Sequence, residues 1–135
     1  MERRFQSFSF RFDGPDRSIV YTGDTGPSTA VERLARNADL LVSEMIDVPS
    51  TVANVRRNTP GMSDAALAGL QEHLSRHHLT SGQVGQLAAR AKVKAVVVTH
   101  IVAPAASAGD LLEYVAQISA PFDGGVAIAA DLDTF

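Results

Sequence analysis

Short hydrophobic segments with a period of two alternate along the chain with segments whose apolar residues recur every three to four positions. Phe8, Phe10 and Phe12 fall on one face of an extended segment and alternate with polar residues, which predicts a half-buried strand. A turn at 13–16 leads to a return strand over 18–21. The continuous apolar runs within 39–44 and 94–99 predict strands that are covered on both faces.

Helix signals lie between these strands. Pro27, or Thr29 with Glu32, marks the start of a first helix, and Ser63 is a plausible cap for a second. Capping residues start two more helices, at Thr80 with Gln83 and at Ser107 with Asp110, and a last strand covers 125–130. The predicted order is β β α β α α β α β, an α/β architecture with helices on at least one face of a sheet.

Composition narrows the class of protein further. A chain of 135 residues, 45% hydrophobic and 20% charged, predicts one domain over 1–135. The formal net charge of −3 gives no overall positive field, so a nucleic-acid partner is unlikely, and no apolar run is long enough for a membrane. Without cysteine, any metal must be bound by histidine and carboxylate, and a cytoplasmic location is expected.

Three ionisable residues stand at the ends of predicted elements: Asp24, His78 and His100. Asp24 follows a strand and is preceded by Gly23, so its carboxylate can lie at the tip of a turn. His78 precedes a helix start, and His100 ends an apolar strand. Each has an ordinary structural alternative: a turn aspartate that caps a helix, a surface-loop histidine, and a hydrogen-bonded core histidine.

Together the segments Gly23-Asp24-Thr25, His78-Leu79-Thr80 and Val98-Thr99-His100 resemble the C-terminal half of the metallo-β-lactamase-fold hydrolases, in the ribonuclease Z and arylsulfatase-like branch. The resemblance implies half of a four-layer αββα sandwich, a mixed sheet with helices on one face. It also implies that Asp24 bridges two zinc ions, that His100 binds one of them, and that His78 assists the leaving group, held by Glu44. In this chain, partial or no zinc occupancy is expected.

The chain departs from that family because the His-x-His-x-Asp-His motif is absent from its sequence. The remaining histidines, His73 and His77, are four apart and would share a helix face, which is typical of a solvated surface more than of metal ligands. We therefore expect the C-terminal half of a metal-dependent hydrolase of ester, phosphoester or sulfoester bonds in small molecules, inactive or weak on its own. Its partner would be the missing N-terminal half or further copies of the chain.

The alternative prediction is a non-catalytic module that self-associates as a homodimer. The predicted sheet would expose an apolar strip, and a second copy could cover it. The strip consists of Phe8, Phe10, Phe12, Ile19 and Val97.

Overall fold

The computed structural model describes residues 6–135, so the first five residues of the predicted domain lie outside it. A five-stranded mixed sheet has the order β1-β2-β3-β4-β5, in which β1 and β2 are antiparallel and all other neighbours are parallel. The elements are β1 (Phe10–Asp13), β2 (Ser18–Tyr21), α1 (Thr29–Leu34), β3 (Leu40–Ile46), α2 (Val48–Asn58), α3 (Asp64–His77), α4 (Ser81–Ala91), β4 (Ala95–Val102), α5 (Ala108–Ser119) and β5 (Gly125–Ile128).

One face of the sheet carries the helices, as predicted. Successive parallel strands lie in chain order, and since such crossovers are right-handed their helices fall on the same side. Helix α4 packs between α1 and α5 and forms one layer with them. The core lies between that layer and the sheet, and its fully buried members include Val20, Leu41, Val84, Val98 and Ile118.

The opposite face of the sheet has no helix against it among the described residues. Phe10 pairs with Tyr21, and Phe12 with Ile19, so these side chains point to this open face. Phe10 and Phe12 are 52% and 62% exposed, as the sequence predicts. The predicted strip is nevertheless too wide, because Val97 is only 5% exposed and Ile19 is half-buried.

The predicted element boundaries differ from the observed ones at several points. Helix α2 was not predicted at all, β1 begins at Phe10 instead of Phe8, and β5 ends at Ile128. Both central strands run past their predicted ends, so Glu44 and His100 lie within strands and not at their termini. The two predicted capping boxes at Thr80 and Ser107 are present.

Helix α1 is capped one residue earlier than the predicted pair of Thr29 and Glu32 indicates. Ser28 is its N-cap, and the Ser28 side chain accepts a hydrogen bond from the backbone N–H of Val31. None of the helices in the described part of the chain combines the length and the apolar character needed to cross a lipid bilayer.

Candidate metal and catalytic site

A tight turn after β2 carries Asp24 to the carboxyl edge of the sheet. Gly23 has φ of +60°, and a Cβ at this position would lie 2.7 Å from the carbonyl oxygen of Phe8. Only glycine suits both the left-handed backbone and the close approach. The turn leaves Asp24 exposed.

The same loop lies directly on the last turn of α3. A Cβ at Gly26 would clash with the carbonyl oxygen of Arg76, so glycine is required where the two segments meet. Helix α3 ends at His77, and His78 is its C-cap. The contact at Gly26 therefore places the Asp24 loop beside His78.

Glu44 is a buried carboxylate that holds His78 in position. Its side chain is 2% exposed, and Oε1 accepts a hydrogen bond of 2.7 Å from the backbone N–H of Leu79. Its Oε2 lies 3.2 Å from Nδ1 of His78. Burial raises the pKa of the Glu44 carboxyl, while the hydrogen bonds from Leu79 and His78 oppose this change.

A β-bulge in β4 brings His100 to the same place. Ser43 is opposite Val98 and Met45 is opposite Ile101, so Glu44 alone faces the two residues Thr99 and His100. His100 has φ of +46°, a conformation that non-glycine residues rarely adopt and that is often found at functional sites. Its Nδ1 lies 2.9 Å from Oδ1 of Asp24.

Four side chains thus meet at one edge of the sheet. One ligand atom each from Asp24, Glu44 and His78 lies within 4.8 Å of the others, and the imidazole of His100 contacts the carboxylate of Asp24. Both oxygens of Glu44 already accept hydrogen bonds in the interior, so Glu44 is suited to orient His78. Asp24 and His100 are 53% and 57% exposed and offer the carboxylate and imidazole that zinc accepts as ligands.

The structure also separates two histidines from this cluster. His73 and His77 lie on the exposed surface of α3, with ring centroids 4.5 Å apart. Within residues 6–135, neither of them belongs to the group formed by Asp24, Glu44 and His78.

Sequence reasoning missed the bulge that turns His100 toward Asp24. A signal was present, because the apolar run of β4 is interrupted by the polar pair Thr99-His100 and then resumes at Ile101. A strand that resumes after two polar residues is consistent with a bulge, whereas the sequence prediction ended the strand there.

Several ribonucleases have similar sequences. Ribonuclease Z from Halobacterium salinarum is 35% identical over 117 residues, covering 87% of this chain and 31% of that protein. Ribonuclease Z from Mycobacterium avium is 32% identical over 128 residues, covering 93% of this chain and 40% of that protein. The chain therefore spans less than half the length of these relatives. No protein-family model matches it.

Two solved structures share the fold. The metallo-β-lactamase fold protein YhfI from Bacillus subtilis superposes with a TM-score of 0.60 at 22% identity, over 90% of this chain and 40% of that one. Human tRNase Z, short form, superposes with a TM-score of 0.55 at 22% identity, over 96% and 38%. At this level of identity the two structures bear on the fold alone.

The prediction that a nucleic-acid partner is unlikely, with a small-molecule ester as the substrate, is wrong. The relatives are named ribonuclease Z, and ribonucleases act on RNA. The error lies in the use of net charge, because a value of −3 averages over the whole chain and does not describe the potential at one site. A bound metal ion would also change the local charge that a phosphate meets.

Sequence similarity to ribonucleases, the shared fold and the mixed sheet agree with one another. By sequence the chain is similar to part of ribonuclease Z, and by structure it shares the metallo-β-lactamase fold of the solved proteins over less than half of their length.

Proposed function

We propose that this chain supplies one part of the active site of a zinc-dependent ribonuclease, as the C-terminal half of a metallo-β-lactamase sandwich. The observation that carries the proposal is the convergence of Asp24, Glu44, His78 and His100 from four separate segments. The ribonuclease relatives support RNA as the substrate, with its phosphodiester bond as the bond that is broken.

In this proposal Asp24 and His100 are the metal ligands. Their donor atoms are already 2.9 Å apart and face solvent, so a metal ion and a substrate can reach them. Zinc held by these two residues would supply a Lewis acid for the phosphoryl group of the substrate. Because zinc sites in enzymes take three or more protein ligands, two ligands predict weak binding by this chain alone.

His78 acts on the leaving-group side. With Nδ1 donating to Glu44, the opposite nitrogen Nε2 is free to face the substrate. The carboxylate of Glu44 stabilises the imidazolium form. As a water molecule attacks the phosphorus and the P–O bond to the leaving group breaks, Nε2 would give its proton to the departing oxygen of RNA. The backbone N–H of Leu79 fixes Glu44, so the imidazole keeps one orientation through proton transfer.

A diribonucleoside monophosphate tests the proposal without requiring turnover, because its single phosphodiester should bind beside His78. The chain contains four histidines, so their imidazole NMR signals can be assigned individually. In the zinc-loaded protein we expect the His78 signal to shift on titration with the dinucleotide. Removal of zinc, or the substitution Asp24→Ala, should abolish the shift.

The matched control is Asp16→Ala, which removes an exposed aspartate from the turn between β1 and β2 and should leave the shift intact. A His78 signal that does not respond in the zinc-loaded protein would contradict the proposal. So would a response of equal size in Asp24→Ala.

A second candidate function is self-association through the open sheet face. The observation in its favour is the exposure of Phe8, Phe10 and Phe12, at 65%, 52% and 62%, on one edge of the molecule. Exposed apolar groups of this size favour contact with another surface. In the ribonuclease proposal, the remaining part of the sandwich covers this face instead.

Sedimentation equilibrium tests self-association. We expect a homodimer at micromolar concentration, weakened by the double substitution Phe10→Ser and Phe12→Ser. Leu112→Ser is the matched control, because Leu112 is 72% exposed on α5, away from the open face. A wild-type chain that remains monomeric would leave self-association without support.

A further inference from the structure

The last two turns of α3 carry a pair of histidines outside the site described above. His73 and His77 are one helical turn apart, and their rings lie 4.5 Å centroid to centroid with an interplanar angle of 47°. Both are exposed to solvent. Residues four apart on a helix lie on the same face, so the two rings can approach one ion together.

The charged neighbours of the pair do not prevent cation binding. Arg76 forms an ion pair of 2.7 Å with Glu72, and both residues lie one position back from the histidines on the helix. Glu72 and Arg76 therefore lie beside the two histidines on the helix surface, and the carboxylate of Glu72 balances the positive charge of Arg76.

We propose that His73 and His77 form a second metal site, separate from Asp24 and His100, that chelates one divalent transition-metal ion. Imidazole nitrogens favour Cu²⁺, Ni²⁺ and Zn²⁺ over Mg²⁺ or Ca²⁺, and water completes the coordination at an exposed position. The affinity rises from Zn²⁺ to Cu²⁺ according to the general order for nitrogen ligands. The site does not depend on the proposed ribonuclease function.

Binding at this pair stabilises the helix end that presents His78. The backbone N–H of His78 donates to the carbonyl of Leu74 at 3.0 Å, and the ion would link the two residues that directly precede the partners of this hydrogen bond. An ion that binds only the helical arrangement of the two rings opposes local unfolding of the turn. The second site is thereby coupled to the position of His78.

Zinc titration of the full chain, followed by imidazole NMR, tests the proposal. The signals of His73 and His77 should shift with one common midpoint, and this pair of shifts should persist in Asp24→Ala. The substitution His73→Ala should weaken the response of His77 about tenfold or more, because a single imidazole lacks the second attachment point. Gln71→Ala, an exposed substitution on the same helix, is the control and should change nothing.

Hydrogen exchange supplies a second readout. Zinc should slow exchange of the His78 amide in the wild-type chain and leave it unchanged in His73→Ala. The proposal is overturned if His73 and His77 shift with different midpoints, if the zinc concentration at the midpoint of the His77 shift is unchanged in His73→Ala, or if neither signal moves. Loss of both shifts in Asp24→Ala would also overturn it, since the ion would then belong to the other site.

Discussion

At the scale of the residue, the site depends on a carboxylate placed in the interior. Glu44 is held there by the N–H of Leu79 and by the ring of His78. Burial without such partners would be costly, so the hydrogen bonds and the imidazole together make the position tolerable. Burial nevertheless raises the pKa of the Glu44 carboxyl.

The raised pKa of Glu44 predicts how stability depends on pH. The contribution of the protonated Glu44 carboxyl to the stability of the folded state is fully present below the usual pKa of 4.5. This contribution is lost as the pH rises through the raised pKa of the folded state. Glu44→Gln has no such proton to lose. Urea unfolding between pH 4 and 8 should therefore show the variant gaining stability relative to the wild type as the pH increases.

Asp123→Asn is the control, because it makes the same change from carboxyl to amide at an exposed position. Parallel curves for the wild type and Glu44→Gln across this range would be inconsistent with a buried carboxylate at position 44.

At the scale of the element, a hydrogen bond joins α5 to the N-cap of α2, which is distant in the sequence. The hydroxyl of Tyr114 on α5 donates to Oδ2 of Asp47 at 2.6 Å, and Oδ1 of Asp47 caps α2 through the N–H of Ser50. Asp47 therefore connects the start of the segment that contains α2 and α3 to the layer formed by α1, α4 and α5. Burial and the neighbouring Asp47 raise the pKa of Tyr114, so this hydrogen bond persists well into the alkaline range.

Tyr114→Phe should destabilise the protein by about 1.5–3 kcal/mol, the contribution typical of a hydrogen bond to a charged group. The measurement is urea unfolding at neutral pH. Tyr21→Phe, at a tyrosine 40% exposed on the open face, should change the free energy of unfolding far less. Equal effects at the two positions would rule out a stabilising role for the bond to Asp47.

Sequence signals predicted the helices that have strong caps, at Thr80 and Ser107, because side-chain and backbone hydrogen bonds are local. Helix α2 was missed although Asp47 and Pro49 mark its start. Its valines and threonine disfavour helix when taken alone, and packing on α3 compensates for that preference. Local propensity does not contain this long-range contribution.

At the scale of the whole molecule, the alternation of strands and helices and a sheet covered by helices on at least one face followed from the periodicity of apolar residues, whereas the mixed sheet and the exposed phenylalanines followed from the family resemblance. The bulge at His100 did not, because it depends on the register between β3 and β4, which the pattern of either strand alone does not specify. The meeting of Asp24 with His100 was expected from the family resemblance, and the bulge supplies its geometry.

The account rests on Asp24 and His100 acting together as metal ligands beside His78. Zinc titration of the His100 imidazole signal, compared between the wild-type chain and Asp24→Ala, tests this most directly. We predict that zinc shifts the His100 signal in the wild type and that Asp24→Ala abolishes the shift while the fold is retained. A His100 response of unchanged size and midpoint in Asp24→Ala would contradict the account.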